Sequence, residues 1–226
     1  MPNDLPMGDP VDATPARAPS AVPMVGTDVE LVPVDPTAHV AGLFAASHGS
    51  PAREAVWTYM AYGPFDHERA MADWLRGCAD SDDPRFYTVL DRRADAPVGV
   101  VSYLNVDTAM RHVELGHIWY GPAAQHTRVN TETVSLLLAY AFDELGNRRV
   151  EWKCDALNAR SRAAAIRLGF TFEGVFRQHM IVKGRNRDTA WFSMLDREWP
   201  ARKANLERWL GAQPGSVSLR ELNAAP

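Results

Sequence analysis

The chain has 226 residues, is 46% hydrophobic and 23% charged, and carries a formal charge of -4. That is enough apolar material for one substantial core, while the absence of a broad cationic field argues against nucleic acid as a primary partner. No run of about 18 apolar residues exists to span a membrane, and the two cysteines, Cys78 and Cys154, lack any zinc-ligand spacing. The expectation is therefore a reducing, cytoplasmic setting, no metal, and ordinary packing for both thiols.

Residues 1–25 hold six prolines and no basic region followed by an apolar stretch. They read as a disordered tail and not as a signal peptide, and their removal is expected to leave stability nearly unchanged. The domain proper is expected over 26–211, with a second tail at 212–226. It opens with a strand at about Asp28 to Val34 and a helix from Pro36 to about Ala46. After the segment "REAVWTYMAYGPF" a helix over His67 to about Ala79 follows, with Ala70, Met71, Trp74 and Leu75 as its apolar stripe.

Three extended runs follow, Arg85 to Asp91, Pro97 to Asn105 and Arg111 to Tyr120, separated by polar turns, and they read as an antiparallel meander. From Thr131 to Leu145 the period changes: Val134, Leu137, Leu138, Ala141, Phe142 and Leu145 form one helical face stopped by Gly146-Asn147. The strand Arg148 to Cys154 comes next. Strand, helix, strand in this span is a βαβ crossover, which places the two strands parallel in one sheet.

A short helix, "NARSRAAAIRL", runs from Asn158 to Leu168, with Asn158 as N-cap, Gly169 as stop and Ser161, Ala164, Ala165 and Leu168 on one stripe. Two long strands joined by Gly184-Arg185-Asn186-Arg187 and a last helix over Asp196 to Leu210 complete the chain. The sum is an α+β domain: a mixed, mostly antiparallel sheet with one parallel crossover and helices on both faces. The basic hairpin from Lys183 to Arg187 is either an anion contact or a solvated turn, the latter favoured.

The link "GPAAQHTRVNTE" brings a loop to the start of the strong helix. Free backbone N–H groups and the positive end of the helix dipole make such a place a phosphate site, to which Arg128 could add a charge, with Asn130 and Thr131 as caps. A well-capped helix without a ligand is the plain alternative.

The ordered set "VELGHIWY", Q-x-x-R-x-N at Gln125 to Asn130, long helix, strand, then Asn158, Ser161 and Gly169-Phe170 resembles the GNAT superfamily of acetyl-coenzyme A-dependent N-acetyltransferases, and within it the RimJ/RimL-like ribosomal-protein branch. The resemblance covers about Val29 to Trp199. It implies that acetyl-coenzyme A lies against Ile118, Trp119 and Tyr120, against the loop formed by Gln125, His126, Arg128, Val129, Asn130 and Thr131, and against Asn158 and Ser161. Asn158 would bond the pantetheine arm, Ser161 would sit near the sulfur as acid, and a backbone N–H around Ile118 to Tyr120 would meet the thioester oxygen. Two positions depart from the family pattern. Arg128 and Asn130 stand where the phosphate loop usually has small residues, and Ala165 stands where many members carry a tyrosine acid.

Glu114, eleven residues before Gln125, has the spacing at which some members place a catalytic glutamate, so it is the first candidate for the base that an amine acceptor needs. Solvation, or pairing with Arg111 or a neighbour, is the competing role. His117 falls on the opposite strand face by alternation unless a bulge turns it in, and His179 is a third option, because Met180 stands where the branch has a glutamate. For the acceptor, Trp57, Tyr59, Tyr62 and Phe65 sit on a loop, with Arg177 and Trp191 on the last strands. The implied function is acetyl transfer to a primary amine, either a protein N-terminus or a small amino compound, by direct attack in a ternary complex. A domain that binds an acyl-coenzyme A without turnover is the alternative. The implied partners are the amine acceptor and neither membrane nor nucleic acid, with a homodimer left open.

Overall fold

The computed structural model describes residues 5–224. Eight strands form one sheet in the order β1-β2-β3-β4-β5-β6-β8-β7, where β1 is Met24–Val25, β2 Val29–Pro33, β3 Arg85–Asp91, β4 Ala96–Asp107, β5 His112–Tyr120, β6 Arg149–Asp155, β7 Thr171–Val182 and β8 Arg185–Leu195. Every neighbouring pair is antiparallel except β5 and β6. This is the α+β sheet with one parallel crossover that the periodicities predict.

Helices α1 (Pro36–Ser47) and α3 (Glu68–Ala79) cover the front face over the first half of the sheet. Asp35 starts α1 by accepting the N–H groups of Thr37 and Ala38 at 2.8 and 3.0 Å. Leu43, Trp57, Met71, Leu75, Phe86, Val100 and Trp119 form the core on this side. A short helix α2 (Pro51–Glu54) and a 3₁₀ turn (Ala55–Trp57) lie between α1 and α3, in a stretch that lacks the length for a periodic signal.

The back face carries α4 (Val129–Ala139), which ends in a π-helical turn over Tyr140–Glu144, together with α5 (Ala159–Leu168), α6 (Trp199–Gly211) and α7 (Leu219–Ala224). The larger core lies beneath them, from Leu31, Tyr87 and Tyr103 across to Leu137, Trp152, Leu168 and Phe192. At its C-terminus α5 needs a left-handed residue, and Gly169 supplies it at φ 99°. Among the described residues no helix is long and apolar enough to cross a membrane.

The tail expectation over 1–25 does not describe the residues that can be placed. Ala16 and Pro19 are buried; the N–H of Ala16 donates to Thr108 O at 2.9 Å and that of Arg17 to Leu145 O at 2.8 Å. Tyr87 donates its hydroxyl proton to Ser20 O at 2.7 Å, and Arg111 donates to Asp12 O at 2.8 Å. Residues 12–20 are thus a strap laid over the end of α4 and the β4–β5 turn. An extended strap and a disordered tail share the same proline-rich composition, which is why sequence does not separate them. At the other end Leu219 is buried and Asn223 bonds α5 and α6, so residues 219–224 are also docked. The composition-based stability expectation is accordingly reversed. Deleting residues 1–21 removes several backbone bonds of about 1 kcal/mol each, and the melting temperature should fall by roughly 5–10 °C; an unchanged value in a thermal scan would show that the strap contributes nothing.

Candidate active site

The parallel pairing of β5 and β6 runs from His112↔Arg149 to Leu115↔Trp152 and stops there. Beyond it β5 continues against β4 alone, as far as Tyr120↔Gly99, while β6 continues against β8 as far as Asp155↔Thr189. The strand edges of 116–120 and 153–155 therefore face one another across a gap with no ladder between them. Unpaired strand edges in an otherwise continuous sheet are a place for an extended ligand with amide groups of its own.

At the far end of the gap stands the N-terminus of α4. Gln125 donates Nε2 to Tyr120 O at 2.8 Å, and Thr127 Oγ1 accepts the N–H of Val129 at 3.2 Å. The amides of Asn130 and Thr131 donate to no described residue and stand at the positive end of the helix. Asn130 and Thr131 are inside the helix, so the side-chain cap expected from them falls instead to Thr127.

The role suggested for Arg128 also changes. Its Nε donates to Asp28 Oδ2 at 2.9 Å, its Nη1 to Ala212 O at 3.2 Å and its Nη2 to Leu210 O, and the guanidinium stacks on Trp209 at 5.3 Å. Each of its three nitrogens is thus bonded within the fold, and the free backbone amides at the helix start are further donors for an anion. A cavity of about 400 Å³ opens beside the loop, lined in part by Arg93, His126, Thr127, Arg128 and Trp209.

The helix start is itself held from below. Glu132, buried on α4, accepts the N–H groups of Thr27, Asp28 and Val29 at 2.7, 2.7 and 2.9 Å. One carboxylate thereby ties α4 to the beginning of β2. Glu132→Ala would leave three amides without an acceptor, and the urea midpoint should drop by the equivalent of about 3 kcal/mol; a midpoint within experimental error of the parent would contradict this tie.

α5 lines the back of the gap. Asn158 Oδ1 accepts the N–H of Ser161 at 3.1 Å, and Ser161 Oγ accepts from Trp152 Nε1 at 3.0 Å. The cap and the packing roles are both realised. The Nδ2 of Asn158 bonds no described residue, so both of its N–H donors remain.

The front of the gap holds the candidate bases. Ser102 pairs with Gly116 and Val100 with Trp119, so β5 has one extra residue at His117–Ile118, where His117 has φ 52°. This bulge moves His117 to the front face beside Glu114. Tyr62 OH and His117 Nδ1 are 3.0 Å apart and their rings stack at 5.6 Å, with Phe86 at 4.8 Å. Burial lowers the His117 pKa to about 4 and raises that of Tyr62 well above its usual value. The ring is neutral at pH 7 and a weak base.

Glu114 is buried on the same face. Its Oε2 accepts from Asn105 Nδ2 at 2.7 Å and from Lys153 Nζ at 2.9 Å, while Oε1 has no partner. Oε1 lies 3.7 Å from where a Cβ on Gly116 would stand, and that Cβ would meet Leu104 Cδ2 at 2.5 Å, so a side chain here would require Leu104 to shift. Desolvation holds the Glu114 carboxyl above its usual pKa, with Lys153 and Asn105 opposing. Its partner is therefore Lys153 and not Arg111, whose guanidinium bonds Gly146 O and Asp12 O.

His179 Nδ1 is 2.9 Å from Thr189 Oγ1 and packs with Phe176 and Trp191 on this face. Of the expected acceptor residues, Trp57 is 1% exposed and donates to Ser47 O, which makes it core and not lining. Tyr59 reaches Leu157 O at 3.3 Å, and Lys183 donates to Trp57 O at 2.9 Å. The loop thus touches both the start of α5 and the β7–β8 hairpin. That bond gives the Lys183 ammonium a place in the fold and not in an anion site. Trp191 lies over Lys153, and Arg177 is exposed.

Glu151 and Lys153 were not singled out by sequence, although the signal is there. In β6 the apolar Val150, Trp152 and Cys154 alternate with Arg149, Glu151 and Lys153. Such a stripe reads as a solvated face, yet Glu151 is 8% exposed. Among the described residues no group of His, Cys, Asp and Glu side chains could hold a metal ion.

Comparisons with known proteins give the family and the fold. The model of the acetyltransferase (GNAT) domain family matches residues 28–171. A Bacillus subtilis (strain 168) protein named "Putative ribosomal N-acetyltransferase YdaF" is 30% identical over 151 residues, which covers 65% of this chain and 80% of that protein. The crystal structure of a GCN5-related N-acetyltransferase from Brucella melitensis superposes with a TM-score of 0.89 at 39% identity, covering 94% of this chain and 98% of the other. The microcin C7 self immunity acetyltransferase MccE, whose crystal structure is a complex with acetyl-CoA and AMP, shares the fold at a TM-score of 0.66 and 20% identity over 75% of this chain and 93% of its own.

One consequence of burial at the site is open to a direct check. The imidazole signals of His117 should stay flat from pH 8 to about 5 and move only toward pH 4. A titration near 6.5 in a proton–carbon NMR series would put the ring in water and contradict the Tyr62 contact.

Proposed function

The chain belongs to the GNAT acetyltransferase family, and from that premise we propose that it transfers an acetyl group from acetyl-coenzyme A to a primary amine by direct attack in a ternary complex. The observation that carries the reading is the gap between β5 and β6. It has free helix-N-terminal amides at one end, a carboxylate with a free oxygen at its vertex, and a serine on its back wall.

In this reading the amides of Asn130 and Thr131 receive the pyrophosphate, and the edges of β5 and β6 with Asn158 Nδ2 hold the pantetheine arm. The coenzyme supplies an activated acetyl group as its thioester. Glu114 Oε1 takes the proton from the acceptor amine, directly or through water. The amine nitrogen forms the new bond to the acetyl carbon as the carbon–sulfur bond breaks. A backbone N–H of Ile118 to Tyr120 meets the carbonyl oxygen, and the Ser161 hydroxyl gives a proton to the leaving sulfur.

A protein N-terminus is the acceptor that the surroundings favour. Its amine has a pKa of about 7.7–8.0, so a single carboxylate is base enough. The front wall of β7 also offers exposed apolar side chains, Phe176 and Met180, suited to an extended peptide. The name of the Bacillus subtilis relative points the same way.

The test is release of free thiol from acetyl-coenzyme A in the presence of peptides with free N-termini. Glu114→Gln should lower kcat by about 10²–10⁴-fold with affinity for acetyl-coenzyme A unchanged by calorimetry. Asn158→Ala/Ser161→Ala should weaken coenzyme binding. Coenzyme binding without thiol release for any amine would instead mean a binding protein on an acetyltransferase fold.

A further inference from the structure

Glu114 is the buried end of a row of charges that runs outward to the exposed Glu173 and that the reaction above does not use. On β6, Lys153 Nζ lies 2.9 Å from Glu114 Oε2, 2.9 Å from Glu151 Oε2 and 3.7 Å from the centre of the Trp191 ring. Glu151 Oε1 accepts from Arg149 Nε at 2.9 Å, and Arg149 forks onto Glu173 at 2.7 and 2.5 Å. The signs alternate from the gap outward: minus, plus, minus, plus, minus.

The two inner carboxylates are not equally provided for. Glu151 has two cations, Lys153 and Arg149, and its pKa is held below the usual value. Glu114 has one cation, Lys153, and the neutral Asn105. Its side chain is 8% exposed and that of Lys153 13%, so water screens the pair little. Lys153 also directs the carboxyl. Its bond and that of Asn105 both fall on Oε2, which leaves Oε1 as the free oxygen toward the gap. Lys153 is the first residue of β6 beyond the last parallel pair, Leu115↔Trp152, so it stands where the strands part.

We infer that Lys153 is a positioning residue of the acetyl transfer: its ammonium, gripped by Glu151 and the Trp191 ring, holds Glu114 ionised and turns Oε1 toward the acceptor amine. This rests on Glu114 being the base. Glu151 acts in the opposite sense on Glu114, as a like charge across the parallel pair Glu114↔Glu151. Arg149 and Glu173 lie one step further out, and His112 shares the strand face, with its Nε2 3.9 Å from Asp107.

The two neighbours therefore predict shifts of opposite sign, which loss of packing would not produce. In full-length protein labelled with carbon-13 at the glutamate carboxyl, the Glu114 signal is identified by its loss in Glu114→Gln. In Lys153→Met its titration midpoint should rise by about one unit or more, roughly a tenfold gain in proton affinity. In Glu151→Gln it should fall, and in Lys153→Arg it should stay within about half a unit of the parent. The acid limb of the kcat/KM profile for thiol release should move with the midpoint in each case. An unmoved midpoint in folded Lys153→Met, or shifts of the same sign in Lys153→Met and Glu151→Gln, overturns the role of Lys153. A moved midpoint with an unmoved acid limb overturns Glu114 as base, and with it the catalytic part of the inference. Should Lys153→Met not fold, Lys153→Gln takes its place, with the same rise expected and an unmoved midpoint again overturning the role of Lys153.

Discussion

The parting of β5 and β6 after Leu115↔Trp152 is the constraint on which the rest depends. A continuous sheet would pair every backbone group of these strands and leave nothing for a ligand. Two features keep the strands apart. The bulge at His117–Ile118 alters the course of β5 while its bonding to β4 continues to Tyr120, and β8 holds β6 along its whole length on the other side. Each strand is thus supported by its outer neighbour, with the irregularity confined to the bulge, where His117 takes φ 52°.

Around that gap the molecule divides its chemistry by face. The back holds α4, with its free amides, and α5, with Asn158 and Ser161. The front holds Glu114, His117 and the charge row of β6. Glu114 and Ser161, the proposed base and acid, sit on opposite faces of the sheet at the gap, which suits a reaction that removes a proton from one partner and returns one to the other. Rigidity comes from distant ties: Glu132 and Arg128 fix the start of α4 to β2, and residues 12–20 fasten its far end. Precise placement of the amides is a property of the whole N-terminal half.

Much of this is legible in the residues. The meander, the crossover and the helix of Asn158 follow from period and capping, with strand ends within one or two residues of the observed ones; "RFYTVLD" is β3 residue for residue. The motif points to the start of α4 and to Asn158 and Ser161, but the gap between β5 and β6 is visible only in the strand pairing. What is not legible depends on partners far away in sequence. Arg128 reads as a phosphate ligand until Asp28, Leu210 and Ala212 are brought to it. Trp57 reads as lining until α1 and α3 close over it. Arg149, Glu151 and Lys153 read as a wet stripe, because alternation gives the face of a strand and not what covers that face. His117 was the intermediate case, since alternation alone sent it to the back and only the bulge brings it forward.

The most direct measurement is amide hydrogen exchange of the full chain with and without acetyl-coenzyme A. The account predicts slowed exchange at two places together, the amides of Asn130 and Thr131 and the unpaired edge from Gly116 to Tyr120, with the β1–β4 ladders unchanged. Protection elsewhere, or none with coenzyme in excess, would contradict the gap as the place where the acetyl group is held.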